Sequence, residues 1–333
     1  MRREQVLKAL AFKKVNPVPH VFHFTQDAEE KVRKHYGKDY PAILNNYIGG
    51  VGCGLPGGWR EIEPDIWADE WGVEWDRTVD KDIGVPRNHV FPEPDMKYWN
   101  PPPVDGGRFD YIPAGIKSQP DTFMMADIGF SLYERAWTLR GLENFLMDFV
   151  ANPAFVHAIL DAIADWNVQI VKRLLTVPGI DCIHFGDDWG TQRGLFTGPA
   201  LWKEFIAPRL KRMYAAVKAG GKFLSIHSCG MVQELFPDLI SMGLNMFNPF
   251  QPEVMDVHEM HKKYFGKLAF WGGVSVQKTL PYGTPDDVRK EVLDRIEMGR
   301  RGGYIICPSH AVPSDAPVEN LVAMIETVRE HEA

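Results

Sequence analysis

Short apolar runs alternate with longer amphipathic stretches along the chain, most regularly after residue 120. The apolar runs predict strands at 18–24, 122–128, 180–185, 223–227, 244–248, 268–271 and 304–307. The amphipathic stretches predict helices at 3–12, 27–36, 136–150, 153–175, 199–219, 232–242, 257–264, 285–301 and 318–332. Strands that alternate with helices in this way are typical of βα units with parallel pairing.

This pattern favours an α/β fold, an eight-stranded (β/α) TIM barrel in which one strand is not recognised. A doubly wound open sheet is the alternative. We expect one domain over residues 1–333, with an N-terminal elaboration and the first strand in 1–120 and regular βα units in 121–333. The glycine-rich stretch 47–59 lacks a GxGxxG sequence and is predicted to be a substrate-facing loop or a mobile lid.

Composition narrows the class of protein. The chain is 45% hydrophobic and 24% charged, as in ordinary globular proteins, and its net charge of −7 argues against a nucleic-acid partner. The four cysteines show no paired spacing and the N-terminus lacks an apolar export core, so we expect the reducing cytoplasm. No uncharged stretch is long enough to predict a membrane span.

The candidate chemistry lies where the predicted strands end, which is where a barrel carries its active site. His227 and Cys229 end the strand FLSIH and are two residues apart, so their side chains can point the same way. An imidazole and a thiolate are good ligands for Zn²⁺. The alternative is a buried cysteine beside a hydrogen-bonded histidine.

Asp187 and Asp188 follow the strand at 180–185 and are the predicted catalytic residues. They could bind substrate, act as acid or base, or orient a metal-bound histidine, and the alternative is that they cap a helix and brace a loop. Ten tryptophans and nineteen phenylalanines suit a flat apolar substrate. The predicted substrate contacts are Trp189, Asn248, Trp271 and His23.

Several motifs resemble the uroporphyrinogen decarboxylase superfamily: GDDWGTQRGLFTGPALWKEFIAPRLKRM, DEWGVEW, HSCG, FWGGVSVQ and GGYIICPSHAVPSDAPVENLVAMIETV. The opening RREQVLKALAFKKVNPVP is similar to the N-terminal helix of that superfamily. The resemblance covers nearly the whole chain and implies a single (β/α)₈ barrel. Where the true decarboxylases have an arginine-rich RQAGRYxPEYR motif, this chain has FTQDAEEKVRKHYG. It is closer in motif to the zinc- and corrinoid-dependent methyltransferase branch.

That branch implies a zinc site with His227 and Cys229 as ligands and a third ligand far downstream. In the register of CPSHAV, His310 occupies the ligand position and Cys307 lies three residues earlier. The third ligand is therefore expected to be His310 or Cys307, and an exchange of cysteine for histidine is acceptable to zinc.

The resemblance implies a methyltransferase that moves a methyl group from a small methylated substrate to the cobalt of a corrinoid (methylcobalamin). The corrinoid comes from a corrinoid-binding partner protein, and zinc acts as Lewis acid. The many Trp and Phe residues and the missing arginine motif favour an aryl methyl ether (O-demethylation) as donor, and methylated thiols or amines are the alternatives. One alternative is a metal-independent decarboxylase or lyase that uses Asp187, Asp188 and His310. Another is a barrel that binds a ligand without catalysis. A homodimer is expected by analogy alone.

Overall fold

The main sheet of the computed structural model, which describes residues 1–332, consists of parallel strands only. In spatial order they are Ile48–Gly52 (β1), Phe123–Ile128 (β6), Cys182–Gly186 (β7), Phe223–His227 (β10), Met246–Phe250 (β11), Ala269–Val274 (β12) and Tyr304–Pro308 (β13). Neighbours in this sheet are successive in the chain apart from short strands in the loops, as in βα units.

The segment 18–24 closes the sheet between its two edges. His20 and Phe24 form parallel bridges with Ile306 and Val312, and the amide of Val21 donates to Ile306 O at 2.9 Å. On the other side of the segment, the amide of Tyr47 donates to His20 O at 2.9 Å. With this segment in the eighth position, the fold is the predicted α/β barrel and not an open doubly wound sheet.

Helices surround the sheet in the predicted order. Within residues 1–332 they are Arg2–Leu10 (α1), Gln26–Tyr36 (α2), Tyr40–Leu44 (α3), Ile112–Ser118 (α4), Tyr133–Arg140 (α5), Leu142–Ala151 (α6), Pro153–Leu174 (α7), Gly198–Leu201 (α8), Ala207–Ala219 (α9), Phe236–Ser241 (α10), Val257–Tyr264 (α11), Thr279–Tyr282 (α12), Pro285–Gly299 (α13) and Val318–Glu330 (α14). Short 3₁₀ turns lie at Gly37–Asp39, Met96–Tyr98 and Gln233–Leu235.

Two predicted helices are divided. The predicted helix 136–150 is α5 and α6, because Gly141 between them has φ 85°, which a right-handed helix does not allow. The predicted helix 199–219 begins with α8 and passes through a π-helical turn at Trp202–Ile206 before α9. Side-chain caps are found at the starts of α2, α11 and α13, and α13 has a capping box of Thr284 and Asp287.

The unrecognised eighth strand is β1, which lies inside the glycine-rich stretch predicted to be a loop or lid. Two of its glycines, Gly49 and Gly50, lie very close to side chains of β6 and of the residues just before it. A Cβ atom on Gly49 would lie 2.6 Å from Thr122 Oγ1, and one on Gly50 would lie 2.9 Å from Asp127 Oδ2. Glycine here lets strand β1 pair closely with β6, so its composition is that of a crowded strand rather than a lid.

The remaining strands belong to the loops. Arg60–Glu63 (β2), Ile66–Ala68 (β3), Glu74–Asp76 (β4) and Val85–Pro86 (β5) form an antiparallel sheet in the N-terminal elaboration, and Gly190–Thr191 (β8) pairs with Gly194–Leu195 (β9). Helix α7 is long and apolar enough to cross a membrane by length and composition alone, and 56% of its most apolar window is buried inside the protein. Such burial is typical of a core helix in a globular domain.

Candidate metal centre

Three potential metal ligands lie together at the carboxyl end of the barrel. His227 is the last residue of β10, Cys229 follows two residues later, and His310 lies in the loop after β13. One ligand atom from each residue, two imidazole nitrogens and a thiol sulfur, lies within 4.8 Å of the other two. Cys229 Sγ is 3.3 Å from His227 Nε2. The group is compact enough to surround one metal ion.

Asn248, at the same level on β11, determines which nitrogen of His227 is free. The amide nitrogen of Asn248 donates to the carbonyl oxygen of Trp271 at 2.9 Å, so its Oδ1 is turned toward His227. His227 Nδ1 lies 2.6 Å from that oxygen and is therefore the protonated nitrogen. Nε2 is left with its lone pair directed at the Cys229 side, as in metal-bound histidines that are oriented by a second residue.

The position of Cys229 depends on two glycines that pack against each other. Gly230 has φ 90°, and a Cβ on it would lie 2.5 Å from the carbonyl carbon of Gly190 in β8. The amide of Cys229 donates to Asp188 Oδ1 at 2.8 Å, and the amide of Gly230 donates to Gln251 Oε1 at 2.7 Å. The HSCG and GDDWG motifs are therefore two halves of one backbone arrangement.

The two candidates for the third ligand occupy different places. His310 is solvent-exposed and belongs to the ligand group. Cys307 lies within β13, is buried, and is not a member of that group. Burial raises the pKa of the Cys307 thiol. The geometry thus favours His310 as the third ligand. Cys307 lines a cavity on the inner side of the ligand group.

That cavity, the inner cavity, has a volume of about 360 Å³ and is lined by residues at the strand ends. His23 and Trp271, two of the predicted substrate contacts, line it with their ring centroids 5.6 Å apart. Asn248 lines it as well. His184 is a further lining residue that the sequence did not single out, and its Nδ1 lies 2.9 Å from Ser225 Oγ. Burial lowers the pKa of His23 to about 4 and that of His184 to about 3, so both rings are neutral near pH 7.

Asp187 and Trp189 are directed away from this cavity. Asp187 is fully buried, and its Oδ1 accepts the amides of Leu132 at 3.1 Å and Glu134 at 2.9 Å. Its Oδ2 accepts the indole N–H of Trp189 at 2.5 Å, and Trp189 packs edge-on against Trp202 in the core. Both residues therefore brace the start of α5, which is the structural alternative considered for the aspartate pair.

Asp188 remains beside the ligand group. Its Oδ1 accepts the amide of Cys229 and lies 3.8 Å from His227 Nε2. The sequence did not single out Glu134, which lies behind the aspartates. Burial, together with the carboxylates of Asp188 and Asp187, raises the pKa of Glu134 well above its usual value. Asp188 can thus hold the backbone of Cys229 in place and place a negative charge near His227.

Asp127, the penultimate residue of β6, is a further candidate that the prediction of site residues left out. It lines the inner cavity, and its carboxyl group accepts no hydrogen bond from any residue that the structure describes. Burial raises the pKa of Asp127 to about 7. An unpaired carboxyl group that titrates near neutrality is suited to proton transfer. Its place at a strand end was the only signal in the sequence.

Comparisons with known proteins agree with this architecture. A methyltransferase from Methanosarcina mazei superposes with a TM-score of 0.73 at 17% identity, over 100% of this chain and 99% of that one. A Penicillium canescens endo-1,4-beta-xylanase reaches only 0.45 at 10% identity, over 98% and 97% of the two chains, and carries no argument. No curated protein sequence matches the chain. The model of the uroporphyrinogen decarboxylase (URO-D) family matches residues 130–331, and the chain therefore belongs to that family.

Proposed function

We propose that the protein is a methyltransferase that takes a methyl group from a small methylated substrate, best an aryl methyl ether, and passes it to the cobalt of a corrinoid on a partner protein. One observation carries the proposal. The ligand group of His227, Cys229 and His310 separates two spaces, because His227 and His310 line the inner cavity while Cys229 and His310 line a groove outside it. This outer groove has a volume of about 530 Å³.

Two spaces on opposite sides of one metal-binding group suit transfer between two molecules. The inner cavity would take the methyl donor, and the outer groove would take the acceptor. The outer groove lies between the loop 79–82 and the segment 310–314, and its lining includes Asp80, Lys81 and Asp82. These residues are polar and would suit a macromolecular partner rather than a second small apolar substrate.

The ligand group fits zinc. Ligand atoms of a tetrahedral Zn²⁺ site lie roughly 3.4–3.7 Å apart, given zinc–ligand distances of about 2.0–2.3 Å. The 3.3 Å between Cys229 Sγ and His227 Nε2 is close to this range, and the 4.8 Å limit on the group requires only a small side-chain movement. Two imidazoles and one thiolate leave the fourth position open, as in catalytic zinc sites. When bound, zinc would supply Lewis-acid activation of the donor's oxygen.

The protein's own residues would do the remaining work. Asn248 keeps the proton of His227 on Nδ1, and Asp188 fixes the backbone of Cys229. In such a transfer the methyl–oxygen bond of the donor would break, the methyl group would pass to the corrinoid acceptor, and the departing phenolate would need a proton. Asp127 faces the inner cavity and retains a proton up to about pH 7, so it could supply one.

The alternative, a metal-independent decarboxylase or lyase, was expected to use Asp187, Asp188 and His310. The hydrogen bonds of Asp187 to two backbone amides and an indole occupy that carboxylate. The chemistry of a decarboxylase would therefore depend on Asp127 instead. Asp127 is the specific observation that keeps this second candidate function, and it predicts activity without metal.

The first test is the zinc content of purified protein after zinc has been supplied. We expect about one zinc per chain in the wild type, and little in His227→Ala, Cys229→Ala and His310→Ala. Cys307→Ala is the matched control, because it removes a thiol three residues from His310 that lies outside the ligand group. It should keep its zinc.

A wild type without zinc would refute the metal-dependent mechanism, and equal losses in Cys307→Ala and Cys229→Ala would refute the ligand set. The loaded protein is then incubated with 2-methoxyphenol and cobalt(I) cobalamin, and catechol is measured. Formation of catechol that requires both zinc and the corrinoid is the expected result. Activity that survives chelation would favour the metal-independent alternative.

A further inference from the structure

A second cavity lies beside the inner one, between the loop after β1 and helix α7. It has a volume of about 220 Å³. Four aromatic side chains form much of its wall: Trp59, Trp71, Phe130 and Trp166. Trp71 and Trp166 pack edge-on with centroids 4.9 Å apart. We call this space the tryptophan cavity; such walls favour a flat apolar ligand.

The charged residues around the tryptophan cavity neutralise one another. Arg108 forms an ion pair with Glu70 at 3.1 Å, and Arg135 forms one with Asp69 at 2.8 Å. The guanidinium of Arg108 lies 5.2 Å from the ring centroid of Trp166. Both arginines are buried and already paired, so neither offers a free charge to an anion. The cavity therefore favours a neutral ligand over a carboxylate.

Two residues of the lining each carry a buried side-chain oxygen without a hydrogen-bond partner among residues 1–332. The two oxygens are Ser131 Oγ and Asn167 Oδ1, on side chains that are each 1% exposed. The amide nitrogen of Asn167 donates to the carbonyl oxygens of Ser131 and of Ile163, the latter at 3.1 Å. Those two bonds fix the amide orientation and leave Oδ1 as an acceptor that lacks a donor. Such buried orphan groups are costly, and a ligand hydroxyl would satisfy both atoms.

We infer that the tryptophan cavity binds a neutral phenolic ring, whose hydroxyl group donates to Asn167 Oδ1 and accepts from Ser131 Oγ. The aromatic wall, the paired charges and the orphan polar atoms each point to this class of ligand. The site is distinct from the ligand group of His227, Cys229 and His310, none of which lines it.

The location of the tryptophan cavity indicates that the phenolic ring is part of the methyl donor. This step rests on the proposed function. Asp127 lines both cavities, so the two spaces adjoin at this residue. One strand separates β6, which carries Asp127, from β10, which carries His227, so their backbones are about 10 Å apart. A donor that uses both cavities therefore carries a hydroxylated ring in addition to the ring that bears the methyl ether.

The test is calorimetric titration of the whole protein with phenol, with cyclohexanol and benzoate as comparison ligands. Phenol should bind more tightly than either. Ser131→Ala removes one hydrogen-bonding atom and Trp59→Leu removes part of the exposed wall, and each should weaken phenol binding about fivefold. Trp67→Leu, on β3 and outside the lining, is the matched control for Trp59→Leu and should bind as the wild type does.

Stability separates a ligand contact from a structural role. Ser131→Ala should raise the melting temperature, because it removes a buried hydroxyl that lacks a partner. Ser275→Ala, which removes a buried hydroxyl bonded to Glu253 and to the amide of Lys278, should lower it. A fall in melting temperature for Ser131→Ala would show that its hydroxyl is structural and would overturn the assignment.

His227→Ala distinguishes this inference from the proposed function. Phenol binding that persists in His227→Ala and weakens in Ser131→Ala and Trp59→Leu supports the tryptophan cavity, even if the wild type holds no zinc. Binding that is lost in His227→Ala but unchanged in the two cavity variants places phenol at the ligand group and overturns the inference. Absence of phenol binding to the wild type, or equal affinity for benzoate, overturns it as well.

Discussion

Two carboxyl groups at the ends of neighbouring strands have opposite surroundings. Asp187 follows β7 and accepts hydrogen bonds from two backbone amides and from the indole of Trp189. Asp127, near the end of β6, faces the inner cavity and has no side-chain hydrogen bond to any residue within 1–332. Burial raises the pKa of both, to about 6 for Asp187 and about 7 for Asp127. Hydrogen-bond partners, rather than position at a strand end, therefore distinguish a structural carboxylate from one that is available for chemistry.

The same substitution at both positions tests this difference and should give the largest effect on stability. Asp187→Ala leaves the amides of Leu132 and Glu134 and the indole of Trp189 without an acceptor, so it should lower the free energy of unfolding by about 3–5 kcal/mol. Asp127→Ala removes no hydrogen bond and removes a carboxyl group whose ionisation is opposed by burial, so at pH 7.5 it should raise the free energy of unfolding by up to about 1–2 kcal/mol. Urea unfolding at pH 7.5 measures both values, and equal losses would contradict the comparison.

The partners of Asp187 explain why the sequence could not separate these two aspartates. Leu132 and Glu134 are more than fifty positions away from Asp187, and their amides meet it only because α5 begins beside the end of β7. Adjacent aspartates before a glycine turn resemble an acid–base pair in sequence. Asp127 lies inside an apolar strand and carries no such local pattern.

The sequence was more informative for elements whose pattern is local. Helix 257–264 was predicted with its observed bounds, and the other long helices differ mainly at their ends, at Gly141 or at the π-helical turn Trp202–Ile206. The His227–Cys229 pair could be proposed because two-residue spacing alone brings the side chains together. Strand β1 was missed because its glycines are required by close packing against β6. That packing is a tertiary constraint, which a local sequence pattern does not show. The choice between His310 and Cys307 likewise depended on where β13 ends.

The pH dependence of stability is the second test of the comparison. Because the folded pKa of Asp127 is raised to about 7 from an ordinary value near 3.9, the native state holds a proton that the unfolded state has lost across that window. The free energy of unfolding therefore falls as pH rises from about 4 to about 7. Asp127→Asn removes this contribution. The free energy of unfolding of Asp127→Asn minus that of the wild type should be about 1–2 kcal/mol larger at pH 8 than at pH 4. This is less than the full pKa shift would give, because the carboxyl group faces an open cavity.

Urea unfolding of wild type and Asp127→Asn at pH 4, 6 and 8 gives this difference directly. Any constant effect of the amide cancels, since only the change with pH is compared. Asp110→Asn, which makes the same change at an exposed carboxyl group, is the matched control. A difference between wild type and Asp127→Asn that is the same at all three pH values would contradict the raised pKa.

Substitution of Asp188 should have the smallest effect on the free energy of unfolding. It also gives the sharpest contrast with Asp187, its neighbour in sequence. Asp188→Asn keeps an Oδ1 that can accept the amide of Cys229, so the free energy of unfolding should change by less than about 0.5 kcal/mol. The variant nevertheless loses a negative charge 3.8 Å from His227 Nε2. If zinc binds as proposed, its dissociation constant should rise about tenfold, as for other residues that support metal ligands. Asp238→Asn, at a surface ion pair with Lys203, is the control and should leave zinc affinity unchanged. A large loss of stability in Asp188→Asn would instead make both aspartates structural, and the ligand group would then have no carboxylate partner of its own.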